Sequence, residues 1–173
     1  MGRAGQEGPN DARSKSGAAR GEDAARRRPT PLNARVSAQM QRMPRTSTGP
    51  EVALRRELHR LGLRFRVSGI RLPGRPDIVF TRARIAVFVD GCFWHRCPEH
   101  GTLPRNNAGW WLAKLDRNVA RDGEKDDALS GLGWLAVHVW EHEDPSEAAA
   151  QIIDFWSSRA HRRAGELPGP ATG

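Results

Sequence analysis

Two short apolar runs, Asp77-Ile-Val-Phe80 and Ile85-Ala-Val-Phe-Val89, lie four residues apart and constrain the fold more than any other feature of the 173 residues. Both are rich in β-branched and aromatic residues. The intervening Thr81-Arg-Ala-Arg84 has room only for a tight, basic turn, so the pair predicts two adjacent strands. Just upstream, Leu72-Pro-Gly-Arg-Pro76 is a turn-rich connection that no regular element absorbs. It delivers the carboxyl group of Asp77 to the start of the first strand.

Around this pair the periodicity changes type several times. Residues 48–62 open with Thr48 as a capping candidate and Pro50 near the first turn, then place Val52, Leu54, Leu58 and Leu61 on one stripe before Gly62. That pattern predicts a helix. Phe65 to Val67 reads as a short strand, and Gly91 to Asn107 as a long loop dense in Cys, His, Pro and Asn. Trp110 to Leu129 returns to helical spacing through Leu112, Leu115, Val119 and Leu129. Trp134 to Trp140 reads as a third core strand, apolar except for His138. Pro145 to Arg159 closes with an amphipathic helix bearing Ala149, Ile152, Ile153 and Trp156. The order helix, strands, helix, strand, helix predicts an α/β domain, a mixed sheet with helices packed on its faces.

The chain is long enough for one well-cored domain and too short to expect two. Residues 1–35 have hardly any large apolar side chain and are expected to be a disordered basic tail. The folded domain is expected over 36–160, with a second disordered tail over 161–173. The formal charge is +8, and residues 1–50 supply +6 of it from ten Lys/Arg and four Asp/Glu. A basic arm on a nearly balanced domain suits a polyanion such as DNA, and equally describes a solvated tail. No apolar run approaches the roughly 18–20 residues of a membrane helix, and no apolar segment follows the N-terminal charges. The expected location is the cytoplasm, away from any membrane.

Three constellations carry chemistry. The first is Cys92 and Cys97, the chain's two cysteines, with His100 three residues on and His142 far downstream, just past a strand. Thiolate and imidazole are the ligands zinc favours, and four of them close a tetrahedral structural site. Buried free thiols beside surface histidines, with no metal, are the alternative. The second is the crowding of Phe93, Trp94, Trp110 and Trp111 in and beside a polar loop. Such rings stack on bases or wedge between base pairs, or else roof the core. For Trp134, Trp140 and Trp156 the core reading is preferred.

The third constellation is Asp77, Asp90, His95 and Asp122 near strand ends, with Glu51 in the first helix. Phosphodiester hydrolysis uses hard oxygen ligands for a divalent cation and a base within reach of water. Any one of these carboxylates alone reads as a cap or a surface charge; their gathering around two adjacent strands is what points to hydrolysis.

Taken together, four segments resemble the very short patch repair (Vsr-type) DNA mismatch endonucleases. They are Leu72-Pro-Gly-Arg-Pro-Asp-Ile-Val-Phe80, Val87-Phe-Val-Asp-Gly-Cys-Phe-Trp-His-Arg-Cys-Pro-Glu-His-Gly101, Trp111-Leu-Ala-Lys-Leu-Asp-Arg-Asn-Val-Ala-Arg-Asp122 and Gly133-Trp-Leu-Ala-Val-His-Val-Trp-Glu141. The resemblance runs from near Met40 to about Trp156, and its second segment is highly specific. It implies a restriction-endonuclease-like core over 36–160 and Mg-dependent nicking of duplex DNA 5′ of the thymine in T:G mismatches left by 5-methylcytosine deamination. It implies Asp77 and the main-chain carbonyl of Val89 as Mg2+ ligands and His95 as the base. Asp122 would support His95, and Glu51 would assist through water. Phe93, Trp94 and Trp111 would form the DNA wedge. Cys92, Cys97, His100 and His142 would hold the structural Zn2+.

Three positions depart from the family pattern. His142 stands where many relatives have Cys, which zinc accepts equally. Asp90 stands where some carry His, which leaves its role open, an extra metal ligand among the options. Trp110 replaces a common Phe. A monomer acting on T:G-mismatched duplex, with mismatch-repair proteins as further partners, is the expected working form. A nuclease with another DNA substrate and a non-catalytic zinc DNA-binding module are the competing readings.

Overall fold

The computed structural model describes residues 46–67 and 69–165, together with Ala38 and Arg42. The whole basic tail expected over 1–35, most of the first ten residues of the domain expected over 36–160, and residues 166–173 lie outside the described residues.

The first helix, α1, spans Gly49–Arg60. Glu51 in its first turn accepts hydrogen bonds from the backbone N–H of Thr48 at 3.3 Å and from the Thr48 hydroxyl at 3.0 Å, so its carboxylate satisfies donors the helix start leaves open. Gly62, at φ +80°, ends the segment in a left-handed conformation that costs glycine little. The strand expected at Phe65–Val67 is reduced to one residue. Arg66 exchanges two backbone hydrogen bonds with Val79, at 2.9 and 2.8 Å, as an isolated bridge.

β1 (Ile78–Phe80) and β2 (Ile85–Asp90) pair antiparallel, with Ile78 opposite Val87. β3 (Leu135–Trp140) joins the other side of β2 in parallel, Ala86 opposite Ala136. The sheet is therefore mixed, in the order β1-β2-β3. Successive side chains of β2 point to opposite faces. Ile85 and Val87 enter a core with Leu54 and Leu58 of α1, Ile78 and Phe80 of β1, and Ala148, Ala149 and Ile152 of the last helix. Ala86 and Phe88 face the other way, onto Leu129 of the long helix, with Leu72 and Trp134 beside them. Each fully buried Ile, Val, Leu or Phe stabilises such a core by about 1.5–3 kcal/mol relative to exposure.

The helices follow from this two-faced sheet. α2 (Ala108–Gly131) covers one face; α1 and α3 (Pro145–Gly165) pack together on the other. The expected third core strand, β3, is an edge strand. Among its residues only Val139 is buried, and no further strand among the described residues pairs with its outer side. α3 runs six residues beyond the expected end at Arg159, since no helix breaker occurs before Gly165. Residues 161–165, expected in a tail, are thus its last turns. Arg159 donates to the carbonyls of Ala83 and Gly133, both at 2.9 Å, and so clamps the β1–β2 turn and the entry to β3.

Candidate active site

Asp77 reaches the site through the Pro-Gly turn before β1. Gly74 is required there. Its φ is +78°, and a Cβ would come within 2.9 Å of both the Phe88 ring and the Lys125 side chain. The Asp77 N–H bonds the Val87 carbonyl at 2.9 Å, and the Val89 N–H donates to Asp77 Oδ2 at 2.9 Å. The carboxylate is thereby pinned beside the backbone of β2. Burial pushes its pKa up; the Val89 N–H pulls it down; the Glu51 carboxylate pushes it up again, and the result lies above the usual carboxylate value. Arg55 is the compensating cation. Its Nη2 is 2.7 Å from Glu51 Oε2 and 3.3 Å from the Asp77 carbonyl oxygen.

Asp90, the last residue of β2, is buried and lies on the α2 face with Ala86 and Phe88. The loop that follows turns back on itself, His95 N–H bonding the Gly91 carbonyl at 3.1 Å. His95 Nδ1 then meets Asp122 Oδ2 of α2 at 2.6 Å, and its Nε2 lies 3.8 Å from Asp90 Oδ1. Burial raises Asp122, but hydrogen bonds from Lys125, at 2.7 Å, and from His95 outweigh it and hold the carboxyl below its usual value. On the far side of Asp90, Oδ2 meets His138 Nδ1 at 2.6 Å, and that contact pushes the imidazole up to about 9.

The same loop gathers Cys92, Cys97, His100 and His142, whose ligand atoms all lie within 4.8 Å of one another. Cys92 Sγ is 3.1 Å and Cys97 Sγ 3.7 Å from His142 Nδ1, and Cys97 Sγ is 3.9 Å from His100 Nδ1. Ligands about 2.0–2.3 Å from one tetrahedral ion stand roughly 3.5 Å apart, so the four donors fit a metal ion. Burial beside Cys97 pushes the Cys92 thiol up to about 11, and a bound cation is what makes thiolates stable in such a place. Gly101 closes the turn, for a Cβ there would stand 2.5 Å from the Cys97 carbonyl oxygen. Glu141 Oε1 accepts the Cys92 N–H at 2.7 Å and ties the loop to the end of β3.

Between the two thiols the chain projects Phe93 and Trp94 onto the start of α2. Phe93 meets Trp94 and Trp111 edge-on, with centroids 5.0 and 5.2 Å apart, and Lys114 Nζ lies 4.9–5.5 Å from the rings of Trp94, Trp110 and Trp111. The cluster is only half-buried, so its ring faces are partly open to a ligand. The Asn118 amide donates to the Trp94 carbonyl at 3.1 Å and fixes the loop over α2.

Comparison with known proteins gives these features a family. The profile of a family described as DNA mismatch endonuclease Vsr matches residues 32–99. The type II nicking enzyme V.NaeI of Lentzea aerocolonigenes is 47% identical over 131 residues, 73% of this chain and 79% of that protein. The chain belongs to the Vsr family. The type II nicking enzyme V.XorIIP of Xanthomonas oryzae is 44% identical over 106 residues, covering 60% and 77% of the two chains. DNA mismatch endonuclease Vsr of Escherichia coli strain K12 is 39% identical over 104 residues, covering 55% and 65%. As a member of the Vsr family, the protein is a DNA nicking endonuclease, a phosphodiester hydrolase, and the non-catalytic reading is set aside. Among the described residues, no helix is long and apolar enough to cross a membrane.

All the residues singled out from the sequence lie in three neighbouring groups: Asp77, Val89 and Glu51; Asp90, His95 and Asp122; and the Cys/His and aromatic loop. Sequence reasoning missed Arg55, Lys125, Glu141, His138 and Asp126. His138 alone left a signal, as the single polar residue in the apolar run Trp134 to Trp140.

Proposed function

We propose that this Vsr-family enzyme nicks duplex DNA 5′ of the mispaired thymine in T:G mismatches arising from 5-methylcytosine deamination. One observation carries the reading: Trp94 of the open aromatic cluster and His95 of the acid–imidazole site are consecutive residues on a loop built to hold a metal. Deforming a duplex and hydrolysing it at the same place calls for that adjacency. Phe93, Trp94 and Trp111 act as the wedge, and unstacking costs least at a mispaired base.

Asp77 and the Val89 carbonyl are the residues that would hold Mg2+, with Glu51 assisting through water, and Asp90 is open to a supporting role there. When bound, that cation supplies charge neutralisation at the scissile phosphate. Asp122 accepts the Nδ1 proton of His95, which leaves Nε2 with the free lone pair. His95 takes the proton of the attacking water through Nε2 while the water oxygen bonds phosphorus; the bond to the leaving sugar oxygen then breaks. Cys92, Cys97, His100 and His142 hold Zn2+ as a brace for the loop. The enzyme works as a cytoplasmic monomer whose nick is passed to mismatch-repair proteins.

End-labelled T:G, U:G and T:A duplexes incubated with the protein and magnesium test the reading. Cutting of T:G without cutting of T:A is expected, and Trp94→Ala should narrow that preference. Equal cutting of T:A would instead favour nicking of another DNA substrate, the reading suggested by the description of two relatives as type II nicking enzymes. Elemental analysis should find one zinc per chain.

A further inference from the structure

Carboxylate and imidazole alternate through five side chains on the α2 face of the sheet. Asp122 holds His95 Nδ1 at 2.6 Å, and His95 Nε2 faces Asp90 Oδ1 at 3.8 Å. Asp90 Oδ2 meets His138 Nδ1 at 2.6 Å, and His138 Nε2 meets Asp126 Oδ1 of α2 at 3.1 Å. The functional reading employs the first three residues and leaves His138 and Asp126 without a task.

Their geometry supplies one. Asp90 is 8% exposed, and a carboxylate so buried stays in place only when a donor satisfies it. Among the described residues, His138 is the side chain that donates to it at hydrogen-bond distance. His138 is itself constrained on three sides. Its ring stacks on Phe88 at 5.2 Å and 16°, its Cα is in register with Phe88 across the β2–β3 pairing, and Asp126 engages its second nitrogen. An imidazole held on both nitrogens and one face has little rotational freedom, and it transmits that rigidity to the carboxylate it binds.

We propose that His138 is a positioning residue of the hydrolytic site: by holding Asp90 Oδ2 it turns Oδ1 toward His95. Once Nε2 has taken the proton, the imidazolium faces a carboxylate on each side, Asp122 Oδ2 at Nδ1 and Asp90 Oδ1 at Nε2, and Asp90 thus favours the protonated ring. Asp126 acts one step further back, on His138. The inference rests on the reading of His95 as the group that takes the proton of the attacking water.

Isosteric replacement in the full, zinc-loaded chain tests it. An Asn amide nitrogen sits near the place of Nδ1 and can donate to Asp90, whereas a Gln amide nitrogen sits near the place of Nε2 and cannot. On the duplex the wild type nicks fastest, H138N should keep kcat within about threefold, while H138Q lowers it about 10- to 100-fold with KM for DNA unchanged. Asp90→Asn combined with H138Q should fall no further than the weaker single variant, since the two act as one unit. Equal kcat for H138N and H138Q would overturn the proposal, as would a loss that tracks the thermal midpoint or multiplies in the double variant. Should H138Q not fold, Asp126→Asn replaces it, with a several-fold drop in kcat and unchanged KM expected and wild-type kcat overturning the proposal. His95→Ala separates the two levels. If it nicks normally, the reading of His95 fails; if it is inactive while the His138 variants match wild type, the positioning role alone fails.

Discussion

Asp77 and Asp122 are both half-buried carboxylates, and burial pushes both upward, yet their surroundings resolve that pressure in opposite directions. Around Asp122 the chain brings its own donors, Lys125 and His95, and the carboxyl ends below its usual value. Around Asp77 it brings further carboxylates, Glu51 and Asp90, against the single guanidinium of Arg55, and the carboxyl ends above it. The difference separates a group that is finished by the protein from one that is not. Asp122 belongs to a satisfied network in which an imidazole and an ammonium group meet its two oxygens. Asp77 sits where negative charge outweighs the positive charge the chain supplies, which is the arrangement a divalent cation completes.

The contrast can be broken at its strongest point by Asp77→Ala, which should lower nicking by about a thousandfold or more while duplex affinity, read by fluorescence anisotropy, stays within about threefold. Wild-type cutting by that variant would erase the distinction. Asp122→Asn should cost about 10- to 100-fold in kcat without altering the magnesium concentration for half-maximal rate, and a shifted magnesium requirement would place Asp122 in the wrong group. Glu51→Gln sharpens the other side. Glutamine serves equally at this position of a capping box, so α1 should persist while the magnesium requirement rises several-fold, about tenfold at most. The smallest effect is expected for Lys125→Met, a half-exposed pair whose loss should change unfolding free energy by less than about 1 kcal/mol and the rate by under about twofold.

Much of this was legible because periodicity reports local geometry. The stripe of Leu54 and Leu58 and the runs at Ile78 and Ile85 gave α1, β1 and β2 with boundaries close to those observed. What escaped was set by distant neighbours. Phe65–Val67 has strand-like residues, yet only Arg66 finds a partner in the sheet. Trp134 to Trp140 is apolar enough for a central strand, and whether another strand covers its outer side is decided elsewhere in the chain. At the site, the cysteine spacing and the Asp77 turn stand out in the sequence. His138 stands out only as a polar residue in an apolar run; its role stays hidden because its partners Asp90 and Asp126 lie 48 and 12 residues away and the meeting with Asp90 depends on the parallel register of β2 and β3.

The 24 residues of α2 carry Trp110 and Trp111 in the first turn, Asp122 past the middle and Asp126 beyond it. At 1.5 Å per residue the helix is a rod of about 36 Å, stiff on the scale of side-chain motion. A base pressed against its tryptophan end would act on a lever whose other arm holds both carboxylates that steady the imidazoles. If the aromatic residues wedge the duplex and His95 accepts the proton, as proposed, both tasks would hang on one stiff element, and a poorly seated duplex would meet a misaligned blade.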